Sequence, residues 1–194
     1  MSHIFVKKEQ IIEARPAEVF DALADYASRR PRILPPNYLH YAVEKGGHGG
    51  GTVIRYLLQA GGRERPYEMH VEETLKGQML TERDQASSLV TRWSVLPIDG
   101  GRRSRVSVET DWESAASGIG GFFERTFAPL GLRKIYRDIL IALALMVQSP
   151  TENQELLEAS EQRPMVRAGI YAMLAGSISL IALALGLKYL KSRA

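Results

Sequence analysis

The sequence predicts an α+β domain, a seven-stranded antiparallel curved sheet around a long helix, with a separate transmembrane helix behind it. Three observations predict this. From Asn37 to Ser114, strand-like segments succeed one another with turn signals between them and no helical interval, the mark of an antiparallel meander. An amphipathic helical pattern then closes this part of the chain, and an uncharged run of 20 residues lies near the C-terminus.

The first strand is expected over His3–Ala14, where Ile4, Val6 and Ile12 share one parity. A helix comes next in ARPAEVFDALADY: Pro16 suits a first turn, Glu18 and Asp21 lie near the positive end of the dipole, and Val19, Phe20 and Leu23 form one apolar face. A second short helical piece spans Ala27 to Leu34, stopped by Pro35 and Pro36. Six strands are then expected over 38–45, 51–60, 65–75, 78–85, 88–97 and 103–114. Gly46–Gly51, Gly61-Gly62, Lys76-Gly77 and Asp99-Gly100-Gly101 supply turns between them. Alternation gives the register: Ile54, Tyr56 and Leu58 against Arg55 and Gln59; Tyr67, Met69 and Val71 against Glu68, His70 and Glu72; Val106, Val108, Thr110 and Trp112 against Ser107, Glu109 and Asp111.

A sheet with one apolar face must be covered, and the segment Gly118–Gln148 offers Phe123, Phe127, Leu130, Ile139, Leu140, Leu143 and Val147. Pro129 and Gly131 are expected to bend or break it, leaving Leu132–Val147 as the stronger helix. Domain organisation is read from charge. Residues 1–148 carry a mixed surface, net +2; 149–164 carry four Glu between two prolines and read as a linker, net −3; 165–194 hold four basic residues and no acid, net +4. Within the last stretch, the uncharged run Ala168–Leu187 is about 30 Å long as a helix, the thickness of a bilayer core. Basic residues and Tyr171 and Tyr189 flank it. A buried core helix is the alternative, but it would normally show a polar stripe. Lys7, Lys8 and Glu9 break the first apolar stretch, so no secretory signal is read, and the expected location is a single-pass membrane protein with its main domain in the cytoplasm. Ala168, Ala172 and Gly176 recur every four residues and would let two spans approach as a homodimer.

The absence of cysteine excludes disulfides, thiolate nucleophiles, cysteine zinc sites and iron–sulfur clusters. The formal charge of +3 does not imply nucleic acid. His3, His40, His48 and His70 include no helical metal-binding spacing, and the sequence points to no metal and no cofactor. HGGG occurs within Gly46–Gly51, but without a G-x-S-x-G elbow or a Gly-Lys-Ser/Thr it reads as a flexible hairpin tip. His70 is expected to face water. His40 is either a solvated strand histidine or an acid/base group in a cavity. Arg55 and Arg92 read as surface side chains. The clusters Arg29, Arg30, Arg32 and Arg102, Arg103, Arg105 read as solvated surface, with attraction to anionic lipid headgroups as the functional alternative.

The order strand, two short helices, six-stranded meander and long helix resembles the helix-grip fold of the SRPBCC superfamily, the START and polyketide cyclase-like proteins. IIEARPAEVFDALADY and FAPLGLRKIYRDILIALALM carry the resemblance, which covers residues 1–148. It implies an apolar cavity between sheet and helix for lipids, quinones, polyketides or steroids. With the register set by alternation, the lining is expected to include Ile54, Tyr56, Leu58, Tyr67, Met69, Val71, Trp93, Val108, Thr110 and Trp112. Three functions stay open: a binding or transfer module for an apolar ligand, a cyclase or dehydratase-type enzyme, and a membrane-tethered interaction or chaperone-like domain with a filled core. Because the sequence places no titratable pair in the cavity, the binding module leads and no catalytic residue is named.

Overall fold

The computed structural model describes residues 2–60, 63–114 and 128–148. The elements are β1 (Ser2–Ile12), α1 (Pro16–Ala24), α2 (Arg30–Ile33), β2 (Tyr38–Lys45), β3 (Val53–Ala60), β4 (Arg63–Leu75), β5 (Met79–Asp84), β6 (Val90–Ile98) and β7 (Arg103–Ser114). A 3-10 turn at Asp99–Gly101 precedes β7, and a last helix, α3, is described over 128–148. The strands form one antiparallel sheet in the order β1-β7-β6-β5-β4-β3-β2, so β1 pairs with the last strand and the meander runs outward to β2. This curved sheet, with the closing helix, is the helix-grip arrangement.

The alternation that set the register holds. Ile54, Leu58, Met69, Val71, Trp93, Val95, Val106, Val108 and Trp112 are buried on one face, while Arg55, Gln59, His70 and Glu72 are exposed on the other. α3 supplies the cover, because Leu132, Ile135, Tyr136, Ile139, Leu140, Leu143 and Val147 recur at helical spacing and are all buried. Leu130 lies outside this stripe. Expected on the apolar surface, it is 56% exposed, since two residues before Leu132 is more than half a turn away. The helix runs unbroken across Pro129 and Gly131 within the described residues. Phe123 and Phe127 lie outside the described residues.

The corner after α1 positions the polar part of the core. Pro16 begins the helix, and Val19, Phe20 and Leu23 face the core as the sequence predicts. After Ala24 the Asp25 carboxylate accepts from the Ser28 backbone N–H at 2.8 Å, and the turn leads into the single turn α2. The glycine-rich loop between β2 and β3 packs on this corner. Gly49 N–H donates to the Ala24 carbonyl at 2.9 Å, and Ala27 N–H to the Gly47 carbonyl at 3.2 Å. Gly46 lies in the left-handed region with φ of +71°, and a Cβ there would stand 3.0 Å from the Thr52 backbone. The segment read as a flexible hairpin tip is therefore a strap hydrogen-bonded to the end of α1, and a Cβ at its Gly50 would stand 3.1 Å from the Glu73 backbone of β4. Among the described residues, no helix is long and apolar enough to cross a membrane, and the span expected over 168–187 lies outside them.

Candidate functional site

Leu80, Glu82 and Asp84 share the inward parity of β5, so two carboxylates are carried to the buried side of the sheet. Asp84 is used locally. It accepts from Glu68 N–H at 3.2 Å and from the Ser87 hydroxyl at 2.6 Å, holding the turn into β6. Glu82 has a different setting. Its Oε1 accepts from the Tyr26 hydroxyl at 2.7 Å and from Arg30 Nη2 at 2.9 Å, and both ionic partners are buried, Arg30 to 3% exposure and Glu82 to 5%.

Arg30 is delivered by the α1–α2 corner. Its Nη1 donates to the Leu23 carbonyl at 3.4 Å, and its guanidinium lies 4.1 Å from the Trp93 ring centre and 5.4 Å from that of Tyr26. Burial alone would weaken the guanidinium's hold on its proton; the Glu82 carboxylate and the surrounding tyrosines outweigh this and raise its pKa. Arg30 was expected on a solvated surface with Arg29 and Arg32, and the structure corrects this. A charge of this kind tolerates burial only when paired and hydrogen-bonded, as here.

Above this pair lies a cavity of about 30 Å³ lined by Tyr38, Tyr56, Leu58, Tyr67, Glu82, Leu89, Thr91, Trp93, Leu132 and Tyr136. At roughly 10–15 Å³ of such space per molecule, that volume has room for about two waters. Tyr56 and Tyr67 are directly opposite in the β3–β4 register with ring centres 5.6 Å apart, and Tyr38 stands 4.8 Å from Tyr56. Tyr136 meets Trp93 edge to face at 6.0 Å. Its hydroxyl also bonds Thr110, which bonds Thr91 at 2.8 Å, so a chain of hydroxyls ties α3 to β6 and β7. Burial holds the phenols of Tyr38 and Tyr56 well above their ordinary pKa, and pushes Tyr136 up to about 12 although its threonine bonds oppose the shift. Near neutral pH these are neutral hydroxyls. Trp93 Nε1 is the one buried side-chain polar atom without a hydrogen-bond partner among the described residues.

Of the residues expected to line the cavity, Tyr56, Leu58, Tyr67 and Trp93 do so, while Thr110 stands behind Tyr136. Ile54, Met69, Val71, Val108 and Trp112 are buried in the surrounding core and do not line this cavity. The lining residues not anticipated are Tyr38, Glu82, Leu89, Thr91, Leu132 and Tyr136. The inward parity of Glu82 with Leu80 was the available signal. His40 lies elsewhere: it is exposed, takes φ of +52° where the β2 register shifts, and lines an open groove of about 500 Å³ with Glu44, Arg55 and Glu68. His70 is exposed beside Glu68. Arg55 pairs with Glu68 on the outer face, and Arg92 pairs with Asp111.

The family described as polyketide cyclase / dehydrase and lipid transport matches residues 3–148. The chain belongs to this family. Among solved structures, the KanY protein is 40% identical, with a TM-score of 0.66 over 76% of this chain and 99% of that one. The Zhui aromatase/cyclase from Streptomyces sp. R1128 shares the fold at 15% identity, with a TM-score of 0.62 over 76% of this chain and 94% of that one. A START superfamily protein from Mycobacterium smegmatis does so at 14% identity, with a TM-score of 0.58 over 77% and 100%. No curated protein matches the chain.

The buried pair and the buried phenols of this polyketide cyclase-like domain each have a measurable consequence. Arg30→Met leaves the Glu82 charge buried without its partner and should cost about 3–5 kcal/mol in urea unfolding of the full chain, whereas Arg30→Met with Glu82→Leu should recover more than half of that loss. Equal costs for the single and double variants would contradict the pairing. Because the folded protein holds the phenol protons of Tyr26, Tyr38, Tyr41, Tyr56 and Tyr136 more tightly than the unfolded chain, the stability they contribute is complete below a pH of about 10 and falls as pH rises through their folded values. Absorbance at 295 nm should show these phenols ionising only together with loss of the far-ultraviolet dichroism signal.

Proposed function

We propose that residues 1–148 bind an apolar small molecule, of the lipid, isoprenoid quinone or polyketide-like class, between the sheet and α3. In this reading 149–164 is a linker and 165–194 an anchor whose span, 168–187, tethers the domain on the cytoplasmic side of a membrane and offers a small-residue face for a homodimer. The observation that carries the binding reading is the aromatic cavity wall of Tyr38, Tyr56, Tyr67, Trp93 and Tyr136, closed by the buried Arg30–Glu82 pair. Large rings supply apolar contact at low entropic cost, and a few fixed polar groups orient what they hold. The family's lipid-transport and cyclase members support the same class of ligand. A membrane tether would keep the domain near the phase in which such molecules dissolve.

One feature favours an enzyme of the cyclase or dehydratase type instead: the Glu82 carboxylate stands in the cavity wall among neutral tyrosine hydroxyls, as acid/base chemistry requires. The volume of about 30 Å³ favours a third reading, a filled core that serves an interaction or chaperone-like domain.

Native mass spectrometry and solvent extraction of the purified full-length protein separate these. The binding reading expects a co-purifying apolar molecule, lost or weakened about tenfold in Tyr56→Ala and retained in Arg55→Ala on the outer face. Protein free of any such molecule, with no uptake of quinones or lipids at saturating levels, would contradict it. Turnover of a cyclisable polyketide lost in Glu82→Gln while binding persists would decide for the enzyme. The tether is tested separately: membranes washed with carbonate should retain the full-length chain, and its recovery in the soluble fraction would contradict the anchor.

A further inference from the structure

β1 lies at one edge of the sheet. It pairs with β7 from Ser2 to Ile12 without a register shift, and among the described residues its backbone has no other hydrogen-bond partner. A strand paired on one side only leaves the N–H and C=O of every second residue on its open side, so β1 presents a long row of donors and acceptors. On the outer face of the same strand Phe5 and Ile11 are 49% and 48% exposed, with Lys7 and Glu9 exposed between them. Lys7 also ends a row of alternating charge: its Nζ lies 2.8 Å from Glu109 of β7, and Arg92 of β6 stands opposite Glu109.

We infer that β1 pairs antiparallel with β1 of a second copy of this chain, about a two-fold axis at Lys8. Such an axis, normal to the sheet, keeps each side chain on its own face, so residues opposite one another share a parity and few registers exist. With Lys8 on the axis, residues 4–12 of the two copies pair, and the outer face sets Phe5 opposite Ile11 and Lys7 opposite Glu9, each twice by symmetry. The charge row then runs Arg92, Glu109, Lys7 and on to Glu9 of the second copy. A shift of two residues either way destroys the match. One sets Lys7 against itself and Phe5 against Glu9; the other sets Glu9 against itself and Lys7 against Ile11. The inner face brings Ile4 to Ile12 and Val6 to Gln10, and its like-charged pair is Lys8 with itself, whose long stems let the ammonium groups part. Lysine on an edge strand ordinarily discourages pairing. Here Lys7 meets the β1 carboxylate in a single register, so the charges that oppose other contacts select this one.

The test uses disulfide trapping in the full-length protein, which has no cysteine of its own, so each introduced thiol is unique. Under copper–phenanthroline oxidation Lys8→Cys should form a covalent dimer, because directly opposite residues lie within disulfide reach. A mixture of Phe5→Cys and Ile11→Cys chains should form the cross-linked heterodimer, with Lys8 intact, at least tenfold faster than either variant links to itself. Adding Glu9→Lys to both chains of that mixture sets Lys7 against a second lysine and should slow the cross-link about fivefold. Phe5→Cys or Ile11→Cys linking to itself as fast as the mixture would overturn the inference, since association through any other surface favours no register of β1. An unchanged rate with Glu9→Lys, or no covalent dimer from any of these variants, would overturn it as well.

Discussion

The ion pair between Arg30 and Glu82 joins the parts of the fold that meet at the cavity. Arg30 and Tyr26 come from the corner after α1, Glu82 from β5, and Trp93, under the guanidinium, from β6. Removing two charges from water is expensive, and the cost is offset only because nearly every polar contact is made: a carboxylate oxygen shared by a phenol and a guanidinium, a backbone carbonyl on Nη1, and π faces around the cation. Such a pair tolerates little displacement. It therefore fixes the corner, which is itself braced from outside by the glycine strap and by the Asp25 turn.

This constraint produces a cavity that is apolar on its sides and polar at its floor. The tyrosines of the wall keep their protons because burial disfavours the phenolate, so they act as neutral surfaces and donors and not as bases. The Thr91–Thr110–Tyr136 chain fastens α3 to β6 and β7, which ties the helix position to the strand that also carries Trp93. The fold is shared with an aromatase/cyclase and a START superfamily protein. Fold alone does not choose among such activities; the side chains on the concave face do.

The architecture was largely legible because both hydrophobic periods are clean. Tyr56, Tyr67 and Trp93 sit on the expected face, and Pro16, Pro35 and Pro36 bound the helical corner as their chemistry suggests. Leu130 was misplaced because it is apolar and close to the buried stripe but out of phase with it. The charged half of the site was not legible from composition. Arg30 stands in the run Arg29-Arg30-Pro31-Arg32, where its neighbours are partly or fully solvent-facing, and nothing local distinguishes the one side chain that turns inward. Its partner lies 52 positions away on another strand, and only pairing across the sheet reveals it. Glu82 did carry a signal, its inward parity with Leu80 and Asp84. The glycine strap looked flexible because its partner surface, the end of α1, is supplied by tertiary contact alone.

The central claim is that the cavity between the sheet and α3 receives an apolar ligand. Its most direct test is a filtered nuclear Overhauser measurement on isotope-labelled full-length protein with the neutral dye N-phenyl-1-naphthylamine. Contacts from the dye to the methyl groups of Leu58, Leu89 and Leu132 and to the Trp93 ring are the predicted result. Contacts confined to Ala42, Leu57 and Ala86 of the outer groove, or no contacts at saturation, would contradict the account.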